Sequence, residues 1–268
     1  MKRALLFLAG IAACVFGYVF LISLLRGRPA AVSLVAPAFL TAVAAAALNR
    51  IFFRLEGESM ASIGFSAPAH RLGQFAVAFV GGCVLVLGWA AILAAVASPR
   101  WRATGGVHFR DGLSRVAFCL FNNGAEELAY RGYLLWKLAQ RLGSTAAVLS
   151  TSILFALLHV QGGVPLASAM TIVLTSAVLL GVLVLRWRSL PLAIGFHVAL
   201  NIAQEALGLR TSALSFVQPA FPAGMTSMQR AALLALPASL NLVIAWLVWR
   251  NGRRGREADF VRASAART

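Results

Sequence analysis

Acidic residues are scarce in this chain: 8 Asp and Glu stand against 24 Lys and Arg in 268 residues. Charged residues of both signs make up only 12%, well below the share usual in soluble domains. A water-soluble fold of this length could not hide the 60% of apolar residues that stand in their place. The shortage of charge therefore excludes an ordinary soluble domain and points to lipid as the solvent. Cysteine is also sparse. Cys14, Cys83 and Cys119 each lie inside an apolar run and none forms a C-x-x-C pair, which excludes a disulfide framework and a thiolate metal site. The run Ile11-Ala12-Ala13-Cys14 has some likeness to a lipoprotein cleavage site. The short apolar stretch before it and the continuation to Leu25 favour a plain membrane anchor. The H-E-x-x-H signature of helical zinc proteases is missing, and no internal repeat is visible.

A net charge of +16 would suit nucleic acid if it formed one face. Here the basic residues fall in short clusters between apolar runs, the pattern of a multi-pass membrane protein. The lipid bilayer is the expected partner and nucleic acid is not. A spanning helix needs ~20 apolar residues. Eight segments are expected to cross: Ala4–Leu25, Ala30–Leu48, Gln74–Ala97, Leu113–Trp136, Ser144–Val160, Pro165–Leu185, Leu190–Ala206 and Ala231–Trp249. The fourth and seventh carry polar residues. The expected fold class is all-α, a polytopic transmembrane helical bundle forming one membrane domain over 1–268. Leu55 to Arg71 reads as a polar connector or interfacial helix and Thr211 to Gln229 as a loop. The basic stretch 250–268 reads as a disordered cytoplasmic tail. With eight spans, one side of the membrane collects fifteen Lys and Arg and the other seven. Both termini are then expected in the cytoplasm, as in a bacterial inner-membrane protein.

Against this background four ionisable groups are out of place. Glu126 and Glu127 sit within the fourth span, His159 in the fifth and His197 in the seventh. Such groups are costly in lipid and usually face a bundle interior or a watered cavity. A single one would read as an interhelical hydrogen bond; four on three helices read as a functional centre. At about 100° per residue, Glu126 and Glu127 point in different directions. Arg131, four residues after Glu127, is its natural partner. Glu126 is left to face a cavity as a general base for water. Asn122 and Asn123, one turn earlier, suit the same polar faces. His197 and Asn201 share a helix face at i and i+4, as do Phe155 and His159. A His–Asn pair suits holding a water or an oxyanion. At ~1.5 Å per residue the four groups lie at depths of ~13–22 Å and can meet in one cavity.

The runs Glu126-Glu127-Leu-Ala-Tyr-Arg131, Phe155-Ala-Leu-Leu-His159 and His197-Val-Ala-Leu-Asn201 resemble three motifs, E-E-x-x-x-R, F-x-x-x-H and H-x-x-x-N. These belong to the type II CAAX prenyl endopeptidase and bacteriocin-processing (Abi) family. The resemblance covers Asn122 to Gln204 well. It implies an intramembrane peptidase acting on a membrane-associated peptide, whether a CAAX-like tail, a leader or a C-terminal signal. It implies that Glu126 activates water, that His159 positions it, and that His197 and Asn201 stabilise the oxyanion. Glu127 and Arg131 would support the architecture. A divalent metal, zinc held by His159, His197 and Glu126, stays open as an alternative to metal-free glutamate catalysis. Two further readings compete: a non-catalytic immunity or sequestering protein of the same family, and a transporter or proton relay.

Overall fold

The structure, a computed structural model, describes residues 2–265 apart from Ser66, Ala67, Thr211 and Ala213, and side chains as far as Asn251 apart from that of Pro68. It is a helical bundle. The helices are α1 (Lys2–Leu24), α2 (Ala31–Leu55, opening with a π turn), α3 (Pro68–Ala97) and α4 (Phe109–Arg131). After these come α5 (Tyr133–Leu142), α6 (Ser144–Gln161), α7 (Leu166–Trp187, with a π turn at Ala169–Val173), α8 (Leu190–Ala206) and α9 (Ser227–Ala265). Six of them are long and apolar enough to cross a membrane: α1, α2, α3, α6, α7 and, over Ser227–Asn251, α9. Of the three that fall short, α4 and α8 bring the polar residues. α1 is the most lipid-exposed, with Leu5, Leu6, Phe16 and Phe20 all turned outward. The side chains of the basic tail beyond Asn251, and all of 266–268, lie outside the described residues.

The fourth expected span, Leu113–Trp136, is not one helix. It breaks at Gly132, whose backbone leaves the helical region (φ −74°, ψ −126°). Asn49 of α2, fully buried, causes the break. Its Nδ2 donates to Leu128 O at 2.9 Å, and its Oδ1 accepts from Tyr133 N at 2.7 Å. One side chain thus satisfies backbone groups on both sides of the break, which lipid could not do. A Cβ at residue 132 would run into the Asn49 amide, so only glycine fits. α5 then turns aside as an amphipathic helix and ends at Gly143 (φ 83°).

The start of α1, the end of α2 and α5 lie at one face. Arg3 Nη1 donates to Leu55 O at 2.9 Å, and Lys137 Nζ meets Glu56 Oε2 at 2.6 Å. The Lys137 ammonium, helped by the Tyr133 hydroxyl and Arg3, holds the Glu56 carboxyl down at about 2. This ties the end of α2 to α5 and to the N-terminus. The opposite face carries a feature that the all-helical reading lacks. Arg100–Ala103 and Val217–Ala220 pair as a two-stranded antiparallel ribbon, β1 and β2. The ribbon crosses the segment expected to be loop and joins the ends of α3 and α8. Gln229 Nε2 donates to Val96 O on the same side.

α3 and α8 form the tightest helix pair, running in the same direction. Their contact surface consists of small residues. A Cβ on Gly195 would collide with the backbone of Phe75, and one on Gly82 would lie 2.7 Å from Ala199 Cβ and from Phe196 O. Helices in lipid associate through such close packing. The start of α8 is pinned as well. Ser189 caps it by accepting from Leu192 N at 3.2 Å and donates its own hydroxyl to Gln74 Oε1 of α3 at 2.6 Å. The turn before α8 is also held closely, since Gly64 of the polar connector packs against Arg188 O.

A carboxylate and imidazole cluster at the head of a membrane cavity

α4, α6 and α8 bring the intramembrane polar residues together. The centre of the cluster is Glu127, which is fully buried. Its Oε1 accepts from Arg131 Nη1 at 2.9 Å, one helical turn on, and from His197 Nδ1 of α8 at 2.9 Å. A carboxylate can only accept, so Nδ1 of His197 carries the hydrogen and Nε2 is turned the other way. Nε2 lies 3.7 Å from Glu126 Oε2. The two adjacent glutamates thus sit on opposite edges of one imidazole. Glu127 fixes the ring, and Glu126 faces its outer nitrogen.

Glu126 is half-buried and receives Asn122 Nδ2 on Oε1 at 2.8 Å. It lines a cavity of about 470 Å³ together with His159, Asn122, Tyr18, Tyr130 and Arg210. Most of the other lining side chains are aliphatic and come from α1, α2 and α6. His159 Nδ1 donates to Phe155 O at 2.9 Å, which leaves its Nε2 as an acceptor. Phe155 is a hub: its ring centroid lies 4.3 Å from that of His159 and 6.0 Å from that of His197, and the Arg131 guanidinium stacks over it at 4.3 Å.

Asn201 sits one turn beyond His197. Its Nδ2 donates to Asn123 Oδ1 at 2.8 Å, while Asn123 Nδ2 reaches His197 O at 3.3 Å. These bonds lock α8 to α4 in register. Asn201 Oδ1 accepts from Arg210 Nη1 at 2.8 Å.

All six candidate site residues therefore lie in this region, beside Phe155. Glu126, Glu127, Arg131 and His197 are linked by direct contacts, Asn201 joins through Asn123, and His159 shares the cavity wall with Glu126. Three features escaped the reading of the sequence. Glu127 is shared between Arg131 and His197 rather than neutralised by Arg131 alone. Arg210, just beyond the seventh expected span, reaches Asn201 and the cavity. Glu205, a buried residue of α8, accepts both Arg115 Nε at 2.7 Å and Ser212 Oγ at 2.7 Å. The i+4 and i+8 positions of Asn201 and Glu205 relative to His197 hinted at a polar stripe along α8, but nothing in the sequence marked the cross-helix partners.

Among the described residues no three His, Cys, Asp or Glu side chains converge as a metal-ligand set. Both rings hold a protein acceptor with Nδ1 and leave Nε2 open, the orientation that metal-ligating imidazoles also adopt, so their tautomers do not decide the matter.

The class defined by fold and site is a helical membrane bundle with a carboxylate–imidazole–carboxamide cluster beside an apolar cavity. Residues 111–203, the segment that builds the cluster, match the family described as Type II CAAX prenyl endopeptidase Rce1-like. The match runs from the start of α4 almost to the end of α8 and holds all seven motif residues. No curated protein and no solved structure matches the chain.

Proposed function

We propose that the protein is an intramembrane endopeptidase in which Glu126 activates water to hydrolyse a peptide bond of a membrane-associated substrate. The observation that carries this reading is the Glu126 carboxylate, which opens on the cavity opposite an imidazole whose other nitrogen is held by Glu127. In this mechanism Glu126 takes a proton from a water, and the water attacks the scissile carbonyl carbon. The His159 Nε2 acceptor orients that water. Negative charge develops on the carbonyl oxygen. His197, when protonated, donates from Nε2, and the second N–H of Asn201 adds a neutral donor. Glu126 then returns its proton to the leaving amine. Glu127 and Arg131 take no proton; they hold His197 in one tautomer and one orientation.

Glu126→Gln is expected to lower the cleavage rate by about 10²–10⁴-fold, the usual worth of a general base, and to leave thermal unfolding in detergent close to wild type. The assay follows a precursor that accumulates in membranes of cells lacking the protein. Cleavage at the wild-type rate by the variant would refute the assignment. The sequestering alternative gives a different result, because binding or protection would survive in Glu126→Ala while no cut product appeared with either protein.

The same reading sets the side of entry. The cavity lining reaches Gln161, Gly162 and Arg210, at the ends of α6 and α8 away from Arg3 and Glu56, and the proposed entrance lies there. If the face of Arg3 and Glu56 is cytoplasmic, as the basic excess predicts, the mouth faces away from the cytoplasm. A membrane-impermeant peptide substrate should therefore be cut by right-side-out vesicles and spared by inverted ones. The reverse result would turn the protein over.

A further inference from the structure

A second cavity, also of about 470 Å³, lies at the face of Arg3 and Glu56, away from the entrance proposed above. The connector turn Met60–Ile63, α5, the start of α6 and the end of α7 line it. Its polar lining is rich in donors. Arg131, Arg188, Gln140, Ser144 and Trp136 all carry N–H or O–H groups, and Glu58 is the one carboxylate among the described lining residues.

Two of these donors are guanidinium groups with N–H bonds to spare. Arg131 has no exposed surface and marks the inner end of the cavity. Its Nη1 donates to Glu127 and its Nη2 to Ala177 O, but its Nε is buried with no partner. Arg188, at the outer end, is exposed, and among the described residues its side chain enters no hydrogen bond or ion pair. Its backbone is nonetheless fixed. It closes α7 in the left-handed region (φ 48°), where glycine is more at ease, and Gly64 packs against its carbonyl. The third donor set is the start of α6. Ser144 lines the cavity and Gly143 before it supplies no side-chain cap, so the opening N–H groups of this 18-residue helix are open to a ligand. Glu58 does not neutralise these groups. Its Oε2 accepts from Ser62 Oγ at 2.9 Å, within its own connector.

We propose that this cavity binds a phosphate group. Two guanidinium groups and a helix N-terminus around one space suit a tetrahedral oxyanion, whose oxygens diverge, better than a planar carboxylate. The volume exceeds that of a bare phosphate and leaves room for the group that carries it. The start of α6 and the end of α7 set the cavity at the level of lipid head groups. The phosphate therefore belongs either to a phospholipid of that leaflet or to a water-soluble phosphate ester, and the chemistry recognised is the same. The site goes beyond the hydrolase reading and does not depend on it.

Thermal unfolding of the full-length protein in dodecyl maltoside, in phosphate-free buffer at constant ionic strength, tests the proposal. Inorganic phosphate should raise the unfolding temperature saturably, while chloride and acetate should not. Arg188→Gln should weaken the apparent affinity about tenfold, as loss of one charge-assisted partner requires. Ser144→Asp sets a carboxylate at the start of α6 and should abolish the response, so a folding defect in one variant leaves the other informative. Glycerol 3-phosphate and short-chain phosphatidylglycerol then identify the source. Stronger stabilisation by the lipid assigns the site to a head group, and equal or weaker stabilisation assigns it to a soluble ester. No response of the wild-type protein to phosphate, an equal response to acetate, or an undiminished response in either folded variant overturns the proposal.

Discussion

Glu127→Ala is expected to destabilise the protein by about 3–5 kcal/mol, the loss seen when one member of a buried ion pair is removed. The reason lies in what would be left. Arg131 has no exposed surface, and its remaining acceptor would be Ala177 O at 3.4 Å. Its Nε already has no partner. The stacking of Arg131 on Phe155 would persist, yet it supplies far less than a carboxylate does. A bare guanidinium in the middle of a lipid-embedded bundle must either draw in water or pull the helices apart. Thermal unfolding in detergent micelles measures the loss. The double variant Glu127→Leu/Arg131→Met should recover much of it, because replacing a buried pair by apolar groups of similar volume is often neutral or better. That rescue should not extend to catalysis, since His197 would lack the acceptor for Nδ1 in both proteins. If Glu127→Ala unfolds at the wild-type temperature, the buried triad is not what holds α4 to α8.

Gly195→Ala is the second large effect. Alanine is a better helix former than glycine by ~1 kcal/mol, so propensity alone favours the change. Packing opposes it and prevails. The new Cβ would lie inside the van der Waals radius of Phe75 O and 2.9 Å from Phe75 C and Cα, all of them backbone atoms that no rotamer can move. α3 and α8 would have to separate, at an overpacking cost of about 1–3 kcal/mol or more. His197 lies two residues further along α8 and would shift with it. A misplacement of ~1 Å in a catalytic group costs on the order of 10²-fold in rate. The expected result is therefore a protein with a lowered unfolding temperature and a larger relative loss of cleavage. Gly73→Ala, on the same α3 helix but with no atom within 4 Å of the new Cβ, should be neutral or slightly stabilising. Wild-type stability and activity in Gly195→Ala would mean that the two helices are not pressed together at this point.

The bundle was legible because lipid imposes simple rules. Long apolar runs such as Gln74–Ala97 and Pro165–Leu185 must be helical where no water can satisfy their backbone, and they are helical here. The break at Gly132 was not legible. Its cause is Asn49, far away in the chain on α2, and a single asparagine in an alanine-rich segment gives no sign of which distant backbone it will serve. The ribbon between Arg100–Ala103 and Val217–Ala220 was hidden for a similar reason. Each strand is four residues long and carries no alternating pattern that would mark it.

At the site the division is the same. The sequence by itself determined that the chain lives in a bilayer, that its helices carry a small set of ionisable residues where lipid tolerates few, and which of those share a helix face. These are consequences of composition and of a period of 3.6 residues, and both are local. The tertiary structure alone decided how the faces meet: Glu127 grips His197 across 70 residues, Phe155 stacks on Arg131, and Arg210 swings in to Asn201 and the cavity. Those pairings depend on how closely α3, α4 and α8 approach one another. That approach is set by the absence of a Cβ at a few glycines and by one buried asparagine, whose effects exist only once distant segments are in contact.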